Sequence, residues 1–96
     1  MSQINNDLPL TLVIVTPEGA LPQIRCESIT LTVKDNEKGK GGGSYGIRKG
    51  HTNSLIATDK GEVRAFINGE KVFSVLLSEG FAGVDKNTVT ITANKL

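Results

Sequence analysis

The sequence predicts an all-β protein, a single antiparallel β-sandwich of about 8–10 short strands. Three observations lead there: apolar residues recur at a period of two, turn signals interrupt them about every eight to twelve residues, and no segment is long and periodic enough for a helix. The chain has 96 residues. That length suits one domain able to bury roughly 60 to 70% of its unfolded surface, and so one core.

Leu10–Thr16, LTLVIVT, sets Leu10, Leu12 and Ile14 on one face and Thr11, Val13 and Val15 on the other. Its β-branched content and two partly apolar faces predict a strand covered on both sides. Residues 1–9, polar and acidic, are expected to be a disordered tail. Pro17-Glu18-Gly19 ends the strand, and Pro22 confines the next run to an edge or a turn. From Arg25 to Val33, Ile29, Leu31 and Val33 alternate with Ser28, Thr30 and Thr32, while Cys26 falls off that period and predicts a bulge near Glu27. Residues 34–43, KDNEKGKGGG, carry no apolar anchor, and five of the ten are charged. A mobile loop is expected there. The run from His51 to Ala57 fits a helical turn or a strand equally.

Beyond it, Glu62–Ile67 and Val72–Leu77 flank Asn68-Gly69, the strongest short hairpin signal, because both central residues of a type I′ turn take positive φ. Ser78-Glu79-Gly80 and Lys86-Asn87 turn the chain around a short run, Phe81–Val84. Thr88–Ala93 closes it, with Val89 and Ile91 on one face and Thr88, Thr90 and Thr92 on the other.

Eleven Lys and Arg against ten Asp and Glu leave a net charge of +1. That balance excludes a global nucleic-acid or membrane footprint. The excess is local, since residues 34–51 carry five cations and two carboxylates. Cys26 is the one cysteine, so neither an internal disulfide nor a thiolate zinc site can form, and a lone thiol fits a reducing compartment. No apolar run approaches the ~20 residues of a membrane helix, and the N-terminus is no signal peptide. These features predict a soluble intracellular protein.

Gly41–Ala57, GGGSYGIRKGHTNSLIA, has the composition of a contact segment. Five glycines are mixed with Tyr45, Ile47, Arg48, Lys49 and His51, and no acid is present. GGGSYG satisfies the dinucleotide pattern GxGxxG by count only, since no strand precedes it and no helix opens after it. His51, the single histidine, has no nucleophile at a recognisable spacing. Cys26 reads as a buried, inert thiol. No catalytic, cofactor-binding or metal-binding residues are expected, and no enzymatic activity.

Several stretches in order resemble the amino-terminal β-sandwich domain of the epsilon subunit of F-type ATP synthases, the counterpart of mitochondrial delta. LVIVTPE at Leu12–Glu18 is similar to the family's opening strand. GSYGIRKGHTNSL at Gly43–Leu55 is similar to its Gly-Ile-Leu-Pro-Gly-His signature, with Arg48-Lys49 in place of Leu-Pro. KGEVR at Lys60–Arg64 and SEGFAGVDKNTVTITA at Ser78–Ala93 complete the match.

The resemblance is to a short form without the two C-terminal helices. It implies a non-catalytic central-stalk subunit that binds gamma and the membrane rotor ring of c subunits and couples proton or sodium-ion flow to ATP synthesis. The subunit would be peripheral on the cytoplasmic face of the inner (plasma) membrane as part of the complex. Tyr45, Ile47, Arg48, Lys49 and His51 would face the ring, and Val13 and Val15, pointing away from the inner face, would meet gamma. The alternative is a free-standing sandwich that binds an anionic partner such as RNA through the basic glycine loop. With Tyr45 as the one ring available for stacking, direct nucleic-acid binding is not expected.

Overall fold

The computed structural model describes residues 8–33 and 43–96. The expectations of disorder over 1–7 and of a mobile loop over 34–42 lie outside these residues. Two sheets face one core. The first has the order β2-β1-β10-β9-β6, with β3 also on β1, and comprises β1 (Leu10–Thr16), β2 (Gly19–Ala20), β3 (Ile24–Cys26), β6 (Ser54–Thr58), β9 (Gly80–Asp85) and β10 (Thr88–Thr92). The second is β5-β4-β7-β8, built from β4 (Ser28–Thr32), β5 (Ser44–Arg48), β7 (Gly61–Ile67) and β8 (Glu70–Leu77). Pairing between these strands is antiparallel except for β1 on β10, a parallel ladder with Leu12 opposite Val89 and Ile14 opposite Ile91.

The alternating patterns become the inner faces. Leu10, Leu12 and Ile14 of β1, Ile29 and Leu31 of β4, Val63 and Ala65 of β7, and Val89 and Ile91 of β10 are buried together with Ile47, Leu77, Ala82 and Val84. The opposite face of β1 differs from the expectation. Thr11, Val13 and Val15 remain half-buried, so among the described residues that side of β1 is only partly covered. The expected tail also ends earlier: Leu8 is buried, and its carbonyl accepts a hydrogen bond from the Arg25 guanidinium.

The irregularity predicted near Glu27 is a change of sheet. Cys26 pairs with Leu10 in the first sheet, whereas Ser28 pairs with Arg48 and Phe66 in the second. A strand that turns a corner between packed sheets loses its period of two at the bend. The corner is pinned, since the Glu27 N–H donates to the Phe66 carbonyl at 2.8 Å and the Glu27 carboxylate accepts the Asn68 N–H at 2.7 Å. Asn68 and Gly69 take φ of 53° and 80°, the signs a type I′ turn requires. A bulge follows between Ala65 and Phe66, which leaves Val72 unpaired and about half exposed.

Cys26 lies wholly inside the core. Burial pushes its thiol from 9.0 up to about 11, opposed only in part by the adjacent Arg25 guanidinium. The fold therefore holds the thiol neutral while an unfolded thiol ionises. Stability should be unaffected below pH 9 and should fall between pH 9 and 11, by at most about 1.4 kcal/mol per pH unit. Urea midpoints at pH 8, 9.5 and 10.5 should fall more steeply for the parent than for Cys26→Ala; equal slopes would contradict the assignment.

Candidate partner-binding surfaces

The fold cuts the stretch Gly41–Ala57 in two. The Val33 N–H donates to the Gly43 carbonyl at 3.0 Å, the Asp59 N–H donates to the Thr32 carbonyl at 2.9 Å, and Val33 bridges Thr58. Both attachment points of residues 34–42 therefore lie beside the Asp59-Lys60 turn. β5 then crosses the sheet, a distance of about 16 Å for five extended residues, and delivers Arg48 and Lys49 to the opposite end. The basic run that is continuous in sequence is thus anchored at two separate ends.

At the Arg48 end, the β5–β6 turn and the β9–β10 turn hold each other. The Asn87 side-chain carbonyl accepts the Gly50 N–H at 3.1 Å, and the Asn53 side-chain carbonyl accepts the Lys86 N–H at 3.1 Å. The Asn87 main-chain carbonyl also accepts the Thr11 N–H at 3.0 Å, which ties the pair to the start of β1. Lys86 and Asn87 take φ of 51° and 69°, forming a type I′ turn without glycine. For a lysine this left-handed conformation costs roughly 1–2 kcal/mol.

The five residues expected to face the ring divide by burial. Ile47 is fully buried, opposite Ile29 on the inner face, so it cannot present itself to a partner and is a core residue. Tyr45 also sits on that face, half-buried, and its hydroxyl lies 2.8 Å from His51 Nε2 with the rings edge to face. His51 Nδ1 lies 2.9 Å from the Thr52 carbonyl, which can only accept. In the neutral ring the proton therefore sits on Nδ1, and Nε2 accepts from the Tyr45 hydroxyl. Tyr45 and His51 staple the turn to β5, and Arg48 and Lys49 are left exposed at its tip.

On the outer face of the first sheet, Val13 and Val15 share a stripe with two large exposed apolar side chains, with Gly83, Thr90 and Thr92 between them. The register Leu55–Gly83–Thr90–Val13 runs across β6, β9, β10 and β1, and beside it runs Ala57–Phe81–Thr92–Val15. Leu55 is 74% exposed and Phe81 57% exposed, large apolar side chains that the described residues leave uncovered. Sequence reasoning missed both. Phe81 was detectable in the alternation of FAGV, which places it on the face opposite Ala82 and Val84; Leu55 was hidden because its segment fitted helix and strand alike. Among the described residues no group of His, Cys, Asp and Glu could hold a metal ion, and no helix is long and apolar enough to cross a membrane.

Residues 9–96 match the family model of the ATP synthase delta/epsilon chain β-sandwich domain. No curated protein sequence matches the chain. Among solved structures, the fold is similar to a chain of the Tetrahymena thermophila mitochondrial ATP synthase central stalk and c-ring, with TM-score 0.66 and 17% identity over 91% of this chain and 64% of that one. It is also similar to a chain of the Euglena gracilis mitochondrial ATP synthase OSCP/F1/c-ring assembly, with TM-score 0.66 and 22% identity over 90% of this chain and 51% of that one. This chain thus spans between half and two thirds of the length of those two.

Proposed function

This chain belongs to the delta/epsilon family of ATP synthase subunits through its β-sandwich domain, and from that premise we propose that it is a stalk protein of the rotor. It grips gamma with the outer face of the first sheet and rests on the ring of c subunits with the Arg48 end. It performs no chemistry; its work is mechanical coupling of ion flow to ATP synthesis, at the cytoplasmic face of the membrane as a peripheral part of the complex. The observation that carries this reading is the stripe of Leu55, Phe81, Val13 and Val15. A surface so apolar on a small soluble domain marks a place where another protein belongs. Covering the exposed parts of Leu55 and Phe81 is worth about 1–2 kcal/mol for each side chain, more than a typical exposed ion pair at the other end contributes.

Isothermal titration against purified gamma of the same organism, or against its gamma-containing ATPase core, tests the reading. One-to-one binding below tens of micromolar is expected, with no appreciable ATP binding or hydrolysis by the isolated chain. Absence of gamma binding, together with salt-dependent binding of RNA, would replace the stalk function with that of an anion-binding module.

A further inference from the structure

β8 ends the second sheet, and among the described residues no strand pairs with residues 70–75 on the side away from β7. Only the end of β8 is covered there. The Leu96 N–H donates to the Leu76 carbonyl at 3.1 Å and the Ser78 N–H donates to the Asn94 carbonyl at 2.8 Å, so residues 94–96 lie antiparallel on this edge with Lys95 opposite Leu77. These bonds fix the direction of the main-chain groups. Those of Leu76 point away from β7, and by the alternation of a strand those of Ser74 do as well.

An edge that is long, apolar and free of proline is a template for a further strand. EKVFSVLL has its two charges at one end and contains neither proline nor glycine. The bulge turns Val72 out of the ladder, and Val72 lines a groove of about 340 Å³ where the β3 and β8 edges of the two sheets meet. Leu8, Ile24 and Ile67 make the rest of its apolar lining, with Gln23 and Arg25 beside them, so the groove has one cation and no carboxylate. One Arg25 N–H donates to the Leu8 carbonyl, and a guanidinium carries four more donors.

We propose that the free part of this edge is completed by an extended segment of a partner protein. Its main chain pairs with Ser74, an aliphatic side chain enters the groove beside Val72, and a neighbouring carboxylate meets Arg25. The chemistry of the occupant follows from what it touches: free main-chain groups in a row select a strand, the four apolar side chains select an aliphatic anchor, and the lone cation selects an acid. Residues 94–96 already show that the edge takes an antiparallel strand. In strand addition the main-chain bonds supply affinity and the pockets for alternate side chains supply specificity. The site uses neither the Leu55 and Phe81 stripe nor Arg48, so it stands apart from the stalk reading.

The probe is an end-capped, fluorescein-labelled peptide, Thr-Val-Thr-Ile-Asp-Val-Thr, titrated with the full chain, with amide exchange followed by NMR. Saturable binding is expected, with exchange of the Ser74 N–H slowed about tenfold or more. Ser74→Pro removes an N–H that the β7–β8 ladder does not use, and proline is accepted on an edge, so the fold should persist while peptide binding weakens about tenfold or more. Val72→Asp, at an unpaired and half-exposed position, should weaken binding as much by placing a charge in the groove. Exchanging the Asp of the peptide for Lys should cost about threefold, less at high salt.

No binding at millimolar peptide would overturn the proposal, and so would binding that neither Ser74→Pro nor Val72→Asp alters. A concentration-dependent dimer that Ser74→Pro abolishes would give the edge to a second copy of the chain. Peptide binding gained only after deletion of residues 1–7 would give it to the N-terminus of the chain itself. Either of these results removes the partner segment.

Discussion

Phe81→Asp is expected to weaken gamma binding about thirtyfold or more, and Leu55→Asp with Phe81→Asp together by more than about a hundredfold. Large side chains near the centre of an interface lose roughly 2 kcal/mol or more when truncated, and a carboxylate must in addition be desolvated against an apolar partner. The folded chain should hardly register the change. Leu55 and Phe81 are 74% and 57% exposed, and substitutions at such positions usually alter stability by no more than about 0.5 kcal/mol. Leu76→Asp is the control. Leu76 is 55% exposed but pairs with Glu62 in the second sheet, so it lies away from the stripe and its replacement should leave gamma binding intact. Titration calorimetry on the three variants, with thermal melts alongside, separates the outcomes. Loss of binding with Leu76→Asp and not with Phe81→Asp would move the gamma surface to the second sheet.

Gly80→Ala is expected to destabilise the fold by at least ~3 kcal/mol, a large part of the 5–15 kcal/mol typical of a domain. A Cβ built at Gly80 would lie 2.0 Å from the Thr92 carbonyl oxygen and 2.8 Å from the Ala93 Cβ. The first obstacle is main chain, and it belongs to the end of β10, which pairs with β1 and β9. It cannot move aside without opening those ladders. Gly61 is the informative contrast, because there the added Cβ would meet only the Thr32 side chain, with Oγ1 at 2.5 Å. Gly61→Ala should cost less, and Thr32→Ala should recover most of the loss. Urea denaturation of the four proteins measures both effects. A midpoint for Gly80→Ala equal to that of the parent would show that β10 yields where the packing says it cannot.

The local pattern of the chain determined most of its strands and their inward faces, though not β5 and β6, whose segment was glycine-rich or fitted helix and strand alike. At Val89 and Ile91, at Ile29 and Leu31, and at Asn68-Gly69, the signal is carried by residues within a few positions of each other, and a period of two or a positive φ is a property of the backbone itself. The resemblance to the delta/epsilon family was legible for the same reason, as short ordered motifs from Leu12 to Ala93. What a strand lies beside is not local. That β1 pairs in parallel with β10, that Glu27 is the corner between sheets, and that β5 separates the ends of residues 34–42 from Arg48 were decided by the closing of one core from two sheets. The surfaces follow those decisions. Ile47 had the composition of a contact residue and became core because β5 turns it toward Ile29. Leu55 and Phe81, some 26 positions apart in sequence, form one stripe with Val13 and Val15 because β6, β9, β10 and β1 are neighbours in one sheet. Lys86 joins Lys49 only through two side-chain carbonyls that reach across more than thirty residues of chain, a pairing that no periodicity encodes and that hydrogen-bond geometry in the folded state alone creates.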